Sequence, residues 1–348
     1  MTVLRNLLKS KPNLKNIKIS KGSILIAGFF FLVFISGCQR EQRDETANEM
    51  TNENVNKTVY MEGMEHLYAW NEYGYYFDVY SEMSKDRDRD GVIDIEKSSD
   101  NLFIMVESAG QERKIAIQIF IDYIQVPILV DGKEYFTYMI DADDRFSEEF
   151  CFQLSNEIDE SVNHKMVAAM TIFADINEVN TMEERTSDRY SLAYDLILKF
   201  SGNNEKDLGT NKLYDYEEPR DIYQTMWNGL LINSDLEEFK RKFPEKSIEA
   251  KPGEKIKLQY HVGGFKGSQE ALIILSLGME QIQVNSQNYL ICNFGDEEIY
   301  NGILEINAPD EAGLYDLTGW VIKDPFSESE IEHFPLSATP RFTINVHE

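Results

Sequence analysis

The chain has 348 residues, 27% of them charged, and its 61 acidic against 34 basic side chains give a formal net charge of -27. That length suits one to three domains with sizeable cores. The acidic balance argues against a nucleic-acid partner, because neutralising phosphates needs clustered Lys and Arg, and three cysteines are too few for a disulfide-stapled scaffold.

The N-terminus carries Arg5, Lys9, Lys11, Lys15, Lys18 and Lys21 without an acidic residue. An almost wholly apolar run from Ile24 to Ile35 follows, and then Ser36-Gly37-Cys38. This is the order of an export signal: a basic region, an apolar region and a small-residue cleavage site. At about 1.5 Å per residue the apolar run covers roughly 18 Å, short of a ~30 Å hydrocarbon core, so a permanent transmembrane helix is not expected.

Ile35-Ser36-Gly37-Cys38 resembles the lipobox of bacterial lipoproteins, and the resemblance covers the signal alone. It implies that residues 1–37 are removed. Cys38 then becomes a lipidated first residue, carrying a thioether-linked diacylglycerol and a palmitate-type acyl chain, on the extracytoplasmic face of the cell membrane. Each buried CH₂ contributes about 0.8 kcal/mol and one chain binds only marginally, so more than one chain is needed for stable anchoring. Loss of the signal leaves 28 basic against 61 acidic residues, a net charge of -33. Such a surface repels anionic head groups and attracts cations such as calcium or basic polymers.

Residues 38–57 read as a tether. Gln39 to Lys57 holds no aromatic and almost no aliphatic side chain, too little apolar surface to offset chain entropy. As a random coil it spans about 25 Å and fully stretched about 60 Å.

A first folded domain is expected over 58–206. Tyr60 to Tyr80 is dense in aromatic residues, suited to strands. Tyr68, Trp70 and Tyr75 are the candidates for sugar contact, with core packing as the alternative use of the same rings. Strand runs follow at Leu102–Glu107, Lys114–Val126, Glu134–Ile140, Glu149–Leu154, Lys165–Ala174 and Leu192–Phe200. In the second of these Ile115, Ile117, Ile119 and Ile121 recur at every other position, which buries one face of a sheet. Short strands separated by turns argue for an antiparallel sandwich and against βαβ units.

Residues 207–246 read as a connector. Ser234 followed by Glu237 is a capping-box signature and Pro244 stops the short helix it opens. A second strand-rich domain is expected over 247–348. Its Lys251-Pro252-Gly253-Glu254 turn and its Ala308-Pro309-Asp310-Glu311-Ala312-Gly313-Leu314-Tyr315 corner resemble those of bacterial immunoglobulin-like modules, in which the Tyr lies in the core. Val130-Asp131-Gly132-Lys133-Glu134-Tyr135 and Val284-Asn285-Ser286-Gln287-Asn288-Tyr289 form a faint internal repeat. The expected fold class is all-β: two tandem immunoglobulin-like antiparallel β-sandwiches joined by a short helical connector.

One run is site-like. Asp86-Arg87-Asp88-Arg89-Asp90-Gly91-Val92-Ile93-Asp94-Ile95-Glu96 alternates carboxylates ahead of a glycine turn, and calcium takes six to eight hard oxygens about 2.3 to 2.6 Å away. It resembles the calcium loops of EF-hands, dockerins and thrombospondin repeats. The resemblance implies Asp86, Asp88, Asp90 and Asp94 as side-chain ligands and Val92 as a carbonyl ligand, with Glu96 the nearest acid to the bidentate place, which holds Lys97. The same residues also fit a solvated hairpin turn at Asp90-Gly91. Cys151 and Cys292 lie in separate strand runs, as small buried hydrophobes or as an interdomain bridge.

The sequence holds no H-E-x-x-H, G-x-S-x-G, P-loop or G-x-G-x-x-G motif. The expected function is that of a membrane-anchored extracytoplasmic lipoprotein, non-enzymatic, binding an unknown protein or polysaccharide partner or serving as a structural module. The alternative is a lipid-anchored enzyme or accessory protein acting on cell-wall or other polysaccharide.

Overall fold

A computed structural model describes residues 74–85, 91–110, 112–155, 158–175, 191–203, 221–224, 229–234, 247–263, 270–293, 298–326, 337–339 and 341–348. Every regular element among them is a strand, and residues 60–348 form one compact unit. The first sandwich is built from β1 (Gly74–Ser81), β2 (Val92–Ile95), β3 (Leu102–Ala109), β4 (Arg113–Ile121), β5 (Ile124–Val126), β6 (Ile128–Val130), β7 (Lys133–Tyr135), β8 (Tyr138–Ala142), β9 (Arg145–Leu154), β10 (His164–Ile172) and β11 (Ser191–Phe200). The second takes β12 (Asp221–Gln224), β13 (Gly229–Asn233), β14 (Ser247–Ala250), β15 (Lys255–Gly263), β16 (Glu270–Leu277), β17 (Glu280–Gln281), β18 (Leu290–Asn293), β19 (Glu298–Asn307), β20 (Gly313–Lys323), β21 (Ser337–Ala338) and β22 (Phe342–Val346).

Each sandwich has two sheets. In the first the orders are β1-β3-β9-β6-β7 and β2-β11-β10-β4-β5, with β8 also on β4. In the second they are β12-β19-β15-β13 and β14-β22-β20-β16-β17, with β18 on β16 and β21 on β20. The expected all-β pair of sandwiches is thus present, with a difference at the join. Residues 221–224 and 229–233, read as connector, are strands pairing with β19 and β15 of the second sandwich. In the second of these, Leu230, Leu231 and Ile232 are buried and complete a sheet edge despite the polar chain around them. The helix expected from Ser234 to Pro244 lies, beyond Ser234, outside the described residues.

The two sandwiches repeat one topology. The edge strand β2 runs parallel to β11, and β14 runs parallel to β22. β4 pairs with β5, β8 and β10, as β16 pairs with β17, β18 and β20. Backbone conformation repeats as well. Positive φ occurs at Asp122 and Tyr123 (47° and 68°) and, in the matching turn, at Gly278 and Met279 (59° and 69°). It recurs at Asp131-Gly132 (50° and 74°) and Asn285-Ser286 (51° and 67°). Two consecutive residues with φ above zero mark the type I′ turn, whose twist matches that of paired strands. The internal repeat read from the sequence therefore corresponds to one turn built twice.

The two turn motifs singled out in the second sandwich meet each other. The Gly253 N–H donates to the Pro309 carbonyl at 3.1 Å, and Gly253 has a φ of 67° that suits a residue without a side chain. Tyr315 packs on the core and its hydroxyl donates to the Glu311 carbonyl at 3.0 Å, tying down the corner.

Each sandwich closes on its own apolar layer. Phe77, Ile104, Ile117, Phe152 and Met170 lie in the first, and Leu258, Tyr260, Ile273, Leu304 and Phe342 in the second. A third apolar layer lies between the sandwiches: Phe120, Tyr123, Val167, Ala169 and Ala193 face Leu272, Ile274, Trp320, Ile322 and Phe326. Strands β4 and β10 are consequently buried on both sides. Ile115, Ile117, Ile119 and Ile121 fill the first core, while Phe120 turns the other way, its ring edge-on to Trp320 at 5.6 Å.

Several polar groups in this seam are paired across it. Gln125 and Gln281, at the same place in β5 and β17, exchange hydrogen bonds: each backbone N–H donates to the other's Oε1 at 2.6 Å. Gln118 Nε2 donates to Ser276 Oγ at 3.1 Å and to the Met279 carbonyl at 2.8 Å, and the Tyr123 hydroxyl donates to the Pro325 carbonyl at 2.5 Å. Trp320 is fully buried, so Trp320→Ala opens a cavity next to Phe120. It is expected to cost about 3–5 kcal/mol of unfolding free energy, read from the midpoint of a urea titration.

Candidate functional site

The acidic run is described from its second half. Asp86, Asp88 and Asp90 lie outside the described residues. Val92 and Asp94 are in β2, and Glu96 follows it, exposed. Because Ile93 and Ile95 enter the core, the strand's alternation sends Asp94 to the opposite face. There Asp94 is buried, with Oδ1 3.8 Å from Lys199 Nζ on β11, and its carbonyl accepts from the Ser81 hydroxyl. Among the described residues no three His, Cys, Asp or Glu side chains are grouped to hold a metal.

Of the three rings singled out for sugar contact, Tyr68 and Trp70 lie outside the described residues, and Tyr75 packs against the core of the first sandwich. Its neighbours on the other side of β1 face outward. The registers of β1, β3 and β9 set Tyr76 beside Glu107 and Ser147, Asp78 beside Met105 and Glu149, and Tyr80 beside Phe103 and Cys151. The Tyr80 and Phe103 rings are stacked at 5.6 Å with planes 16° apart, and Lys85 Nζ lies 5.8 Å and 5.9 Å from their centroids. The Tyr80 hydroxyl donates to Glu149, and that of Tyr76 to Asp78 Oδ2 at 3.0 Å. Ring faces and carboxylates on one sheet surface suit contact with cationic or hydroxyl-bearing groups. Asp78 is the sequence signal for this face: a carboxylate in the middle of an aromatic strand marks which alternate residues point outward.

Several groups here hold protons differently from exposed ones. Burial pushes Asp78 up to about 6, against the pull of the Val79 N–H on its ionised form. Burial also raises Glu107, opposed by the Ser147 hydroxyl. On the far side of the sandwich, burial pulls His164 down, but hydrogen bonds to Asp122 Oδ2 (2.7 Å) and the Asp159 carbonyl (2.9 Å) outweigh it and hold its pKa above the ordinary value. Asp122 also accepts from the Lys165 N–H through Oδ1, so His164 steadies the hairpin that presents Tyr123 to the second sandwich. Cys151 is exposed, Cys292 is buried, and both are free thiols, so the two sandwiches are not bridged by a disulfide.

No family model matches this sequence, and no curated protein does. Among solved structures the chain is similar to the CARDB domain of the PF1109 protein from Pyrococcus furiosus, a complex with di-metal ions, at 13% identity and a TM-score of 0.24 over 40% of this chain and 98% of that one. It is also similar to a family 123 glycoside hydrolase from Clostridium perfringens, at 15% identity and a TM-score of 0.21 over 34% of this chain and 27% of that one.

The raised carboxyl of Asp78 and the raised imidazole of His164 act in the same direction. A group whose pKa is higher in the folded state favours folding most where it is protonated in both states, and that contribution is lost as pH rises through the folded pKa. Stability should therefore fall between about pH 4 and 6 as the unfolded chain releases the Asp78 proton first. It should fall again above about pH 6.5, as His164 gives up its proton. Thermal midpoints measured in steps from pH 4 to 8 check this: Asp78→Asn should flatten the lower window and His164→Asn the upper.

Proposed function

We propose that the protein is an extracytoplasmic lipoprotein, held at the membrane through lipid on Cys38, whose two-sandwich body works by binding a partner and not by catalysis. The observation that carries the binding role is the outer face of β1, β3 and β9, where Tyr76, Asp78, Tyr80, Phe103 and Glu149 are presented together on rigid strands. The buried ionisable groups support the same reading. Lys165 is paired with Asp195, Arg341 with Asp316 and His164 with Asp122, all in structural contacts.

The anchor follows from the order of the N-terminal residues and from Ser36-Gly37-Cys38, and the Gln39–Lys57 segment gives the body reach from the membrane. Calcium is proposed for the acidic run, with Asp86, Asp88, Asp90 and Asp94 as side-chain ligands, Val92 as a carbonyl ligand and Glu96 as the nearest further acid; Asp94 would exchange its 3.8 Å contact with Lys199 for the ion. In sequence the run leads directly into β2, whose Ile93 and Ile95 are anchored in the core, so an ion bound there would stiffen an edge of the first sandwich.

Cells grown with radiolabelled palmitate are expected to label the wild-type protein and not Cys38→Ala, which should leave the membrane fraction; equal labelling or equal retention overturns the anchor. For the face, co-sedimentation with envelope fragments should drop about fivefold in a Tyr80→Ala/Phe103→Ala variant that unfolds at the wild-type temperature. Undiminished sedimentation removes the face from the proposal. Calcium should raise the thermal midpoint relative to chelator, and Asp88→Ala should abolish the difference.

A further inference from the structure

Each sandwich holds a buried ion pair on the sheet that faces the other sandwich, and these two pairs occupy equivalent places with opposite polarity. Ile121 pairs with Met166 and Met166 with Leu196; in the second sandwich Leu277 pairs with Leu317 and Leu317 with Phe342. The residues one step before these are Lys165 and Asp195 in the first, and Asp316 and Arg341 in the second. Lys165 Nζ lies 3.3 Å from Asp195 Oδ2, and Arg341 Nε lies 2.6 Å from Asp316 Oδ2.

The pairs differ in what they do across the seam. Arg341 is fully buried and its Nη1 donates at 3.0 Å to both the Ile172 and Phe173 carbonyls, at the end of β10 in the other sandwich. Phe173 has a φ of 54° and its counterpart after β20, Asp324, a φ of 42°, so the strand end that Arg341 meets is itself duplicated. Asp195, at Arg341's place in the first sandwich, is held by Lys165 through Oδ2; burial raises its carboxyl against that pull, and it has at most one hydrogen to give where the guanidinium gives several. Among the described residues its Oδ1 is buried without a hydrogen-bond partner.

We infer that this polarity reversal makes the docking surface heterotypic: the first sandwich accepts the face of the second, and rejects the face of another first sandwich. In a first-to-first pairing, Asp195 would bring a carboxylate against the carbonyls that Arg341 satisfies. A buried acceptor facing acceptors is penalised twice, by lost hydration and by repulsion. Arg341 is thus a positioning residue for the docking, and Asp195 the residue that forbids self-pairing of the first sandwich. An exposed first sandwich has one fitting partner, a second sandwich of its own or another copy.

The test uses the full mature chain with Ser276→Cys and Cys151→Ser, probed with a thiol-reactive maleimide, because Ser276 is fully buried where it meets Gln118 across the seam. Asp316→Lys with Arg341→Asp keeps an ion pair in the second sandwich but removes the donor to Ile172 and Phe173. Circular dichroism should stay β-rich while the rate of maleimide labelling at position 276 rises about tenfold; an unchanged rate overturns the inference. Should that variant fail to fold, Arg341→Lys retains the charge beside Asp316 without the planar fork, and a labelling rate equal to wild type overturns the inference equally. Adding Lys165→Asp with Asp195→Arg to the undocked variant supplies the missing donor on the first sandwich, so its light-scattering mass should move from monomer to dimer. A mass that stays monomeric, or dimers already present without the added pair, refutes the role given to Asp195.

Discussion

The seam between the sandwiches constrains everything around it. A sheet normally hides one face and wets the other, but β4 beyond Lys114 and all of β10 hide both, so the residues along them must fit a neighbour. Small side chains at Ala168 and Ala169 and large ones at Phe120 and Trp320 divide the available space. With interiors packed as densely as organic crystals, such a strand tolerates little change in volume on either side. Gly319 shows how tight the second sandwich is: a Cβ there would lie 2.7 Å from Leu275 Cδ2 and 3.1 Å from Leu230 Cδ2.

The polar content of the seam explains why the docking has one register. Apolar layers attract without direction, and two twisted sheets could slide over one another by a residue at modest loss. The reciprocal Gln125 and Gln281 bonds, the Gln118 bonds and the Tyr123 hydroxyl each work in one alignment only. Arg341 adds a charged term of this kind. A buried guanidinium is costly to desolvate, and a buried ion pair is weak evidence for net stability. What it supplies is penalty for misalignment: Asp316 travels with Arg341 in the second sandwich, but a shift that takes Arg341 from the Ile172 and Phe173 carbonyls loses both bonds in a dry layer.

Much of each sandwich was legible locally, and the seam was not. The alternation of Ile115, Ile117, Ile119 and Ile121 named one face of β4 correctly, but it says nothing of what covers Ala116, Gln118 and Phe120 between them. Gln118 and Phe120 have partners more than 150 residues away in sequence, and no local pattern encodes a contact at that range. The one local hint was β10, whose unbroken buried run is the mark of a strand covered on both sides. Type I′ turns at Asp131-Gly132 and Asn285-Ser286 were recognisable because Asp, Asn and Gly tolerate positive φ. β12 and β13 were missed because four- and five-residue strands amid acidic residues carry little periodicity. Tyr75 was taken with its neighbours as one aromatic set, whereas alternation puts Tyr75 in the core and Tyr76 and Tyr80 outside.

Three apolar layers in one body draw most of the aliphatic side chains inward, and this shapes what the surface can recognise. The outer face of β1, β3 and β9 is left with rings, hydroxyls and carboxylates, in a chain whose net charge is strongly negative. At physiological ionic strength charges are screened within about 8 Å, so the overall acidity steers an approaching partner weakly and contact must do the selecting. Rings held on paired strands lose little further freedom on binding, which lowers the entropic cost of recognition relative to a loop. The doubled sandwich therefore contributes rigidity more than area: each sheet that carries an outer face is backed by a core, and the two cores are fixed to one another by a third.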